Sequence, residues 1–340
     1  MRPRAIAIPP SPGDALHAAP GTAAAAADRD AAMVHVGRDG WLFLIGGSNQ
    51  VLGQYRHSWS AWRHTWRWRR LIERRAARCR RLGITYRHLV VPEKLTVLDD
   101  RLDGLAVDAS AAPAARLRRG MRLSRASGSL VDLVGPLRAA RRGGHGLYLR
   151  TDTHWSHDGC FVAYETLCRR LGTAPREDLR DGHATETIEV CGDLGIKLSP
   201  RQWESVRLRT IRRDAELAAT NALVQDFEAA GRGPYLHLGA RVVLRNASPG
   251  ADPRRLVVFG DSCSHFRWDI RTGMLTGLLA ETFAEVHFLW STGIDWDYVA
   301  AVRPDVVVTE IAERFMAELP PLGYSHARLE EMVRARKDPA

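Results

Sequence analysis

The chain is 340 residues long, 45% hydrophobic and 26% charged, with 49 basic and 39 acidic side chains and a formal net charge of +10. That composition belongs to a folded globular protein with ample chain for a core, and it excludes wholesale disorder. No window approaches the ~18 consecutive apolar residues of a spanning helix, which excludes a helical membrane protein.

All basic residues but Lys94, Lys197 and Lys337 are arginine. Selection for phosphate contacts would use both residue types, so this skew reads as a compositional bias, and no nucleic-acid partner is expected. Cys79, Cys160, Cys168, Cys191 and Cys263 are odd in number and far apart, with no zinc spacing. Neither a disulfide framework nor a structural zinc is expected.

Residues 1–32 are rich in Ala and Pro and read as a disordered leader, without the apolar region of a secretory signal. Val34–Val36 and Trp41–Leu44 read as two short extended runs joined by the turn Gly37-Arg38-Asp39-Gly40. A helix is predicted over His57–Leu82. Trp59, Trp62, Trp66, Ile72, Ala76 and Cys79 form its expected core face, and Arg63, Arg67, Arg70, Arg74, Arg78 and Arg81 its solvated face. Strands are predicted at Ile84–Val91 and Leu130–Leu133, and a helix from Ser156 or His157 to Arg170. Residues 173–245 read as a hairpin-bearing insertion, with β-like pieces at Thr187–Cys191 and Arg241–Leu244. Strands at Arg255–Phe259, Val286–Leu289 and Asp305–Thr309 then alternate with helices at Ser264–Phe283 and Asp295–Val302 and a final helix. Apolar strands alternating with helices define an α/β fold with a mostly parallel sheet covered on both faces. The organisation expected is the leader, a catalytic domain over 33–320 and a tail over 321–340.

Two motifs carry chemistry. An apolar strand runs through Leu256-Val257-Val258-Phe259 into Gly260-Asp261-Ser262 and a helix. Ligands of open parallel sheets bind at the carboxyl ends of strands, which places Ser262 where a nucleophile would stand. The Ser262 and Cys263 N–H groups would then face a developing oxyanion. The plainer alternative makes Ser262 a helix N-cap. The second motif is Asp152-Thr153-His154-Trp155. In an extended segment positions i and i+2 share a side, so Asp152 could orient His154, and His154 could take a serine proton. The competing readings are a structurally held histidine, and a metal site of Asp152, His154, His157 and Asp158 that a helix starting at Ser156 would pull apart.

The chain resembles the alginate O-acetyltransferase family, SGNH-hydrolase-like proteins that acetylate bacterial exopolysaccharides. The resemblance rests on Gly37-Arg38-Asp39-Gly40-Trp41-Leu42-Phe43, Val91-Pro92-Glu93-Lys94, Asp152-Thr153-His154-Trp155, Gly192-Asp193-Leu194-Gly195, Gly260-Asp261-Ser262, Pro304-Asp305-Val306-Val307-Val308 and Glu313-Arg314-Phe315. It spans roughly residues 34 to 318 and implies a three-layer SGNH-like fold with a β-rich insertion. It also implies a triad of Ser262, His154 and Asp152, in which the serine comes last in the chain. Asn246 is the expected oxyanion-hole side chain, since SGNH enzymes often use an asparagine there.

The function expected is O-acyl transfer, usually of acetyl, to carbohydrate-type hydroxyls through an acyl-serine, without cofactor or metal. The acceptor expected is a carbohydrate or glycosylated small molecule, and the resemblance implies a membrane acyltransferase partner on the donor side. With neither signal peptide nor anchor read in the sequence, the expected location is cytoplasmic. Three alternatives stand beside this reading: a carbohydrate acetylesterase with the same triad, a metal-dependent hydrolase, and a non-catalytic glycan- or nucleic-acid-binding protein using the Arg-rich helix.

Overall fold

A computed structural model describes residues 5–7, 30–144, 146–182, 184–211, 213–265 and 274–335. Its strands are β1 (Ala5–Ala7), β2 (Val34–Val36), β3 (Leu42–Leu44), β4 (Thr85–Val91), β5 (Leu130–Val131), β6 (Ala184–Cys191), β7 (Glu204–Thr210), β8 (Ala215–Thr220), β9 (Arg241–Asn246), β10 (Asp252–Gly260), β11 (Phe283–Trp290) and β12 (Val306–Ala312). The helices are α1 (Trp59–Arg81), α2 (Lys94–Val97), α3 (Pro113–Met121), α4 (Val134–Arg142), α5 (His157–Leu171), α6 (Ala222–Ala229), α7 (Leu275–Ala280), α8 (Trp296–Val302) and α9 (His326–Ala335).

The central sheet has the order β5-β4-β12-β10-β11-β9-β8. From β5 to β11 the neighbours are parallel, and β9 runs antiparallel to both β11 and β8. Period-two alternation sorts the strand side chains to opposite faces. On β10, Leu256 and Val258 join one core, with α4, α5, α6 and α7. Val257 and Phe259 join the other, with α1, α3 and α8. This is the three-layer α/β fold expected, and it aligns the carboxyl ends of β4, β10 and β12 along one edge.

The structure departs from expectation in three places. Residues 173–245 are not one insertion. The β6–β7 hairpin forms a small separate sheet with β1, whereas β8 and β9 extend the central sheet. Of the expected leader, Ala5–Ala7 contribute a strand and residues 1–4 and 8–29 lie outside the described residues; the expected tail contains α9, which is tied to Asp295 through the His326 N–H (2.7 Å) and to Asp226 through Arg334 (2.8 Å). The third departure is α1: Trp68, Leu71, Ile72, Arg75, Ala76 and Cys79 are buried, whereas Trp59, Trp62 and Trp66 are 69%, 56% and 51% exposed. The core stripe advances through 68, 72, 75, 76 and 79, and the three tryptophans occupy the opposite side of the first two turns.

The expected helix Ser264–Phe283 falls partly on residues 266–273, outside the described residues. Of it, α7 and a single 3-10 turn, Ser262–Ser264, are described. All five cysteines are buried and unpaired. Among the described residues no helix is long and apolar enough to cross a membrane.

Candidate active site

Ser262 stands directly beyond the end of β10. The turn is tight enough that a Cβ on Gly260 would lie 2.9 Å from a Glu310 carboxylate oxygen and 2.9 Å from the Ser264 Cβ. Asp261, and not Ser262, caps the 3-10 turn: its Oδ1 accepts the Cys263 N–H at 2.9 Å and its Oδ2 the Ala312 N–H at 2.6 Å. The Ser262 hydroxyl is therefore left to other partners, which removes the N-cap reading. It lies 2.7 Å from His154 Nε2. His154 Nδ1 lies 2.5 Å from Asp152 Oδ1, and the same oxygen accepts the His154 backbone N–H at 2.9 Å. Asp152 and His154 are buried and Ser262 is half-buried.

The backbone route to this arrangement differs from the extended segment expected. Residues 150–154 form a run of bends closed by a bridge between Tyr148 and Trp155, and α5 starts immediately after it. Asp152 meets His154 because its carboxylate folds back on the His154 N–H, the local habit of Asp in turns. The bend is held from outside. Glu204 accepts the N–H groups of Arg150 (2.8 Å) and Thr151 (2.6 Å) and the Thr151 hydroxyl (2.6 Å). The Leu194 and Gly195 N–H groups donate to the Thr151 carbonyl. Gly192 lies so close that a Cβ there would clash with the Thr151 carbonyl oxygen and stand 2.6 Å from the Asp152 Cβ.

Several polar groups around the three residues were not singled out individually from sequence. The Asp193 N–H donates to Asp152 Oδ2 at 3.0 Å, and the Asp193 carboxylate accepts the Thr153 N–H (2.7 Å) and hydroxyl (2.5 Å). An Asp193 oxygen lies 3.9 Å from His154 Nδ1. Burial, and then the adjacent Asp152 charge, raise the Asp193 carboxyl above the usual carboxylate range. Lys94 is buried with its ammonium donating to the Leu149 and Arg150 carbonyls, both at 3.1 Å. Burial pulls it down to about 8 against the opposing influence of Asp152, Asp193, Glu204 and Glu93. Arg314, also buried, donates to Glu93 at 2.8 Å. Burial opposes its charge, but Glu93, Cys263, Asp261 and Asp193 outweigh that and hold the guanidinium more firmly protonated than usual. Beneath the serine turn, Glu310 accepts the Asp261 N–H (3.1 Å) and the Ser264 hydroxyl (2.8 Å). Burial, and next Asp261, raise its carboxyl well above the usual range.

Two sequence expectations are corrected. Asn246 ends β9, opposite the start of β11, at the amino end of the parallel strands. Ser262 follows their carboxyl end, roughly 20 Å away at about 3.3 Å per strand residue. Asn246 is buried there, donating to the Ala280 and Glu281 carbonyls and accepting the Ser248 N–H, so it is not an oxyanion donor. The Cys263 N–H is taken by Asp261, which leaves the Ser262 N–H, for which its own short turn provides no acceptor.

The metal reading also loses its ligand set. His157 turns away to the Leu179 and Arg180 carbonyls (3.1 and 2.9 Å), and Asp158 pairs with Arg209 (2.7 Å). Asp152, His154 and Asp193 do converge closely enough to hold an ion. Their inward-facing atoms, however, already bind one another and the N–H groups of Thr153, His154 and Asp193.

The remaining motifs frame the site. β3 runs beside the bend, with the Leu42 N–H donating to the Arg150 carbonyl at 3.0 Å, and Lys94 stands 5.7 Å from the ring centroids of both Trp41 and Phe43. Glu313 gathers the Glu93 N–H (2.9 Å), the Thr96 hydroxyl (2.6 Å) and the Ala114 N–H (2.8 Å). A hydroxyl at a parallel-sheet edge, an imidazole against it and a carboxylate behind form a geometry in which the imidazole can take up and return the hydroxyl proton.

Comparison with known proteins places this architecture. Residues 34–227, more than half the chain, match the family described as SGNH hydrolase-like domain, acetyltransferase AlgX, and the chain belongs to that family. It is 37% identical over 73 residues to the probable alginate O-acetylase AlgJ of Pseudomonas fluorescens, a match covering 20% of this chain and 18% of that protein. The O-acetyltransferase domain of Pseudomonas putida AlgJ superposes with a TM-score of 0.54 at 19% identity, over 88% of this chain and 99% of that one. PatB1 of Bacillus cereus superposes with a TM-score of 0.58 at 14% identity, over 83% and 96%. At these identities the two structures establish a shared fold.

Proposed function

We propose that this chain transfers acetyl groups to the hydroxyls of a polysaccharide through an acyl-serine on Ser262, with His154 as general base and acid and Asp152 as its orienting carboxylate. The observation that carries the reading is the unbroken line from Ser262 Oγ to His154 Nε2 (2.7 Å) and from His154 Nδ1 to Asp152 (2.5 Å). Ser262 Oγ attacks the donor's acyl carbon while its proton passes to Nε2. The carbonyl oxygen takes up the charge against the Ser262 N–H, and collapse expels the leaving group, which receives the proton from Nε2. An acceptor hydroxyl then attacks the acyl-serine, giving its proton to Nε2, and the ester forms as Ser262 Oγ departs and is reprotonated. Asp152 keeps Nδ1 protonated and supports the imidazolium at each transfer.

Family membership favours a polysaccharide acceptor and a membrane acyltransferase as the source of acetyl. Hydrolysis by the same residues is the outcome when water replaces the acceptor. The test is intact-mass and peptide mapping after incubation with p-nitrophenyl acetate or a fluorophosphonate. Modification is expected on Ser262 in the wild type and strongly slowed in His154→Ala. An unlabelled Ser262, or equal labelling in both proteins, overturns the proposal.

A further inference from the structure

The exposed aromatic side of α1 is not used by the chemistry above. Trp59 and Trp62 stack with ring centroids 4.6 Å apart at 17°, and the Arg70 guanidinium lies 5.6 Å from the Trp66 ring. Between α1 and α3, Trp62, Thr65 and Trp66 form one wall of a groove of about 360 Å³, and Arg116 and Arg119 the other. The two arginines are set in place. Arg116 donates to Thr65 and the Gln54 carbonyl (2.7 Å), and Arg119 to the Ser110 carbonyl (2.7 Å). Among the described residues Arg63, Arg67, Arg116 and Arg119 have no carboxylate at ion-pair distance. Glu73 pairs with Arg69 and Arg70, Asp108 pairs with His57, and the buried Glu313 carboxylate acts on Arg116 from beyond ion-pair distance. The groove lies along the first turns of α1, which starts at the carboxyl end of the sheet, the end at which Ser262 stands. There Trp68 and His64 bond the Met316 carbonyl, and Gln54 donates to the Arg314 carbonyl at 2.8 Å.

We propose that this groove binds an acidic polysaccharide, indole faces stacking on the sugar rings and the arginines receiving uronate-type carboxylates. Rings flat on one face and carboxylates at the edge match what the groove offers: planar aromatic walls, fixed guanidinium forks and a net positive field. A bilayer surface would instead be met by a convex face with apolar groups outward. The inference builds on the proposed polysaccharide acceptor and assigns that acceptor a charge. The groove would hold a length of chain away from the residue being acylated, raising its local concentration at Ser262.

The test measures binding alone, using the full chain as Ser262→Ala, so it is separate from Ser262 labelling and either can fail without the other. Oligogalacturonates and dextran oligomers of matched length are titrated with calorimetry and tryptophan fluorescence as readouts. The oligogalacturonates are expected to bind at least about tenfold more tightly than dextran, with affinity falling as salt rises. Adding Trp62→Ala and Trp66→Ala is expected to weaken binding about tenfold, with an unchanged melting curve because both side chains are exposed. Arg119→Gln, in a protein retaining both tryptophans, is expected to weaken binding and flatten its salt dependence. Equal affinity for both oligomers, or binding insensitive to all three substitutions, overturns the proposal. So does capture of phosphatidylglycerol vesicles or single-stranded DNA through these residues in preference to oligogalacturonate.

Discussion

Asp152 is fully buried and uses both carboxylate oxygens, one on His154 and one on the Asp193 N–H. Asp152→Asn keeps the shape but presents an amide to Nδ1 or reverses the imidazole tautomer, so Ser262 acylation is expected to slow on the order of 10³–10⁴-fold with little change in fold. Stopped-flow release of p-nitrophenol measures it, and a loss under threefold would remove Asp152 from the proposed mechanism. Asp193 has the opposite electrostatic problem. Its folded-state carboxyl is raised by burial and by Asp152, so the native state holds that proton to higher pH than the unfolded chain, whose Asp titrates near about 3.9. A raised carboxyl contributes stability that is present below the unfolded value and lost as pH climbs through the folded one. Asp193→Asn removes that loss, so the stability of the variant relative to wild type is expected to rise between about pH 4 and neutrality. Urea unfolding at both ends of that window decides it, and a pH-independent difference would refute it. Neither the position of Asp193 nor that of Lys94 could be read from residue type alone. Both lie in motifs that carried the family resemblance, however, and convergence of those motifs on one site was the available signal.

The elements that matter most to the site are a bend and a helix, and each was only partly legible. Period-two reasoning put Asp152 and His154 together for the wrong reason, since the pairing comes from a carboxylate folded onto the backbone two residues ahead. What fixes that bend is contact from Glu204 and Gly192, 52 and 40 residues beyond Asp152, which no local pattern can announce. In α1 the spacing of apolar residues established the helix but not its buried face. Trp59, Trp62 and Trp66 form a helical series of their own there, and only packing against Met316 and β4 selects Trp68 instead. The energetic contrast is sharp. Trp68→Ala empties a fully buried indole site and drops the bond to the Met316 carbonyl, for an expected cost of about 3–5 kcal/mol. Trp62→Ala, on the exposed side, is expected to stay within about 0.5 kcal/mol. Denaturant melts of the two variants measure both, and similar costs would contradict the orientation of α1.

At the scale of the molecule, the site exists because distant chain segments end along one sheet edge. β10 delivers Ser262, the α4–α5 connection delivers Asp152 and His154, and β4 and β12 deliver Glu93 and Arg314. The alternation of apolar strands and helices made the sheet and its active edge legible. It did not tell which end of a strand outside the parallel set, such as β9, faces that edge, so it offered no check on Asn246, a choice taken from the family resemblance. The Glu93–Arg314 pair joins the ends of β4 and β12 in the interior, with both side chains about 95% buried. Two buried charges cost desolvation that their attraction only partly repays, and removing one partner leaves the other uncompensated. Arg314→Ala is therefore expected to destabilise by about 3–5 kcal/mol, stranding Glu93 and removing the cation that Asp193 and Asp261 share. Glu93→Leu combined with Arg314→Met is expected to recover most of that stability, because no unpaired charge remains between the strands. It is not expected to recover acylation, since Asp193 and Asp261 would still lack their counter-charge beside His154 and Ser262. Urea unfolding and Ser262 labelling on the same three proteins separate the two effects. Recovery of labelling along with stability would mean that Arg314 acts on the site through rigidity alone.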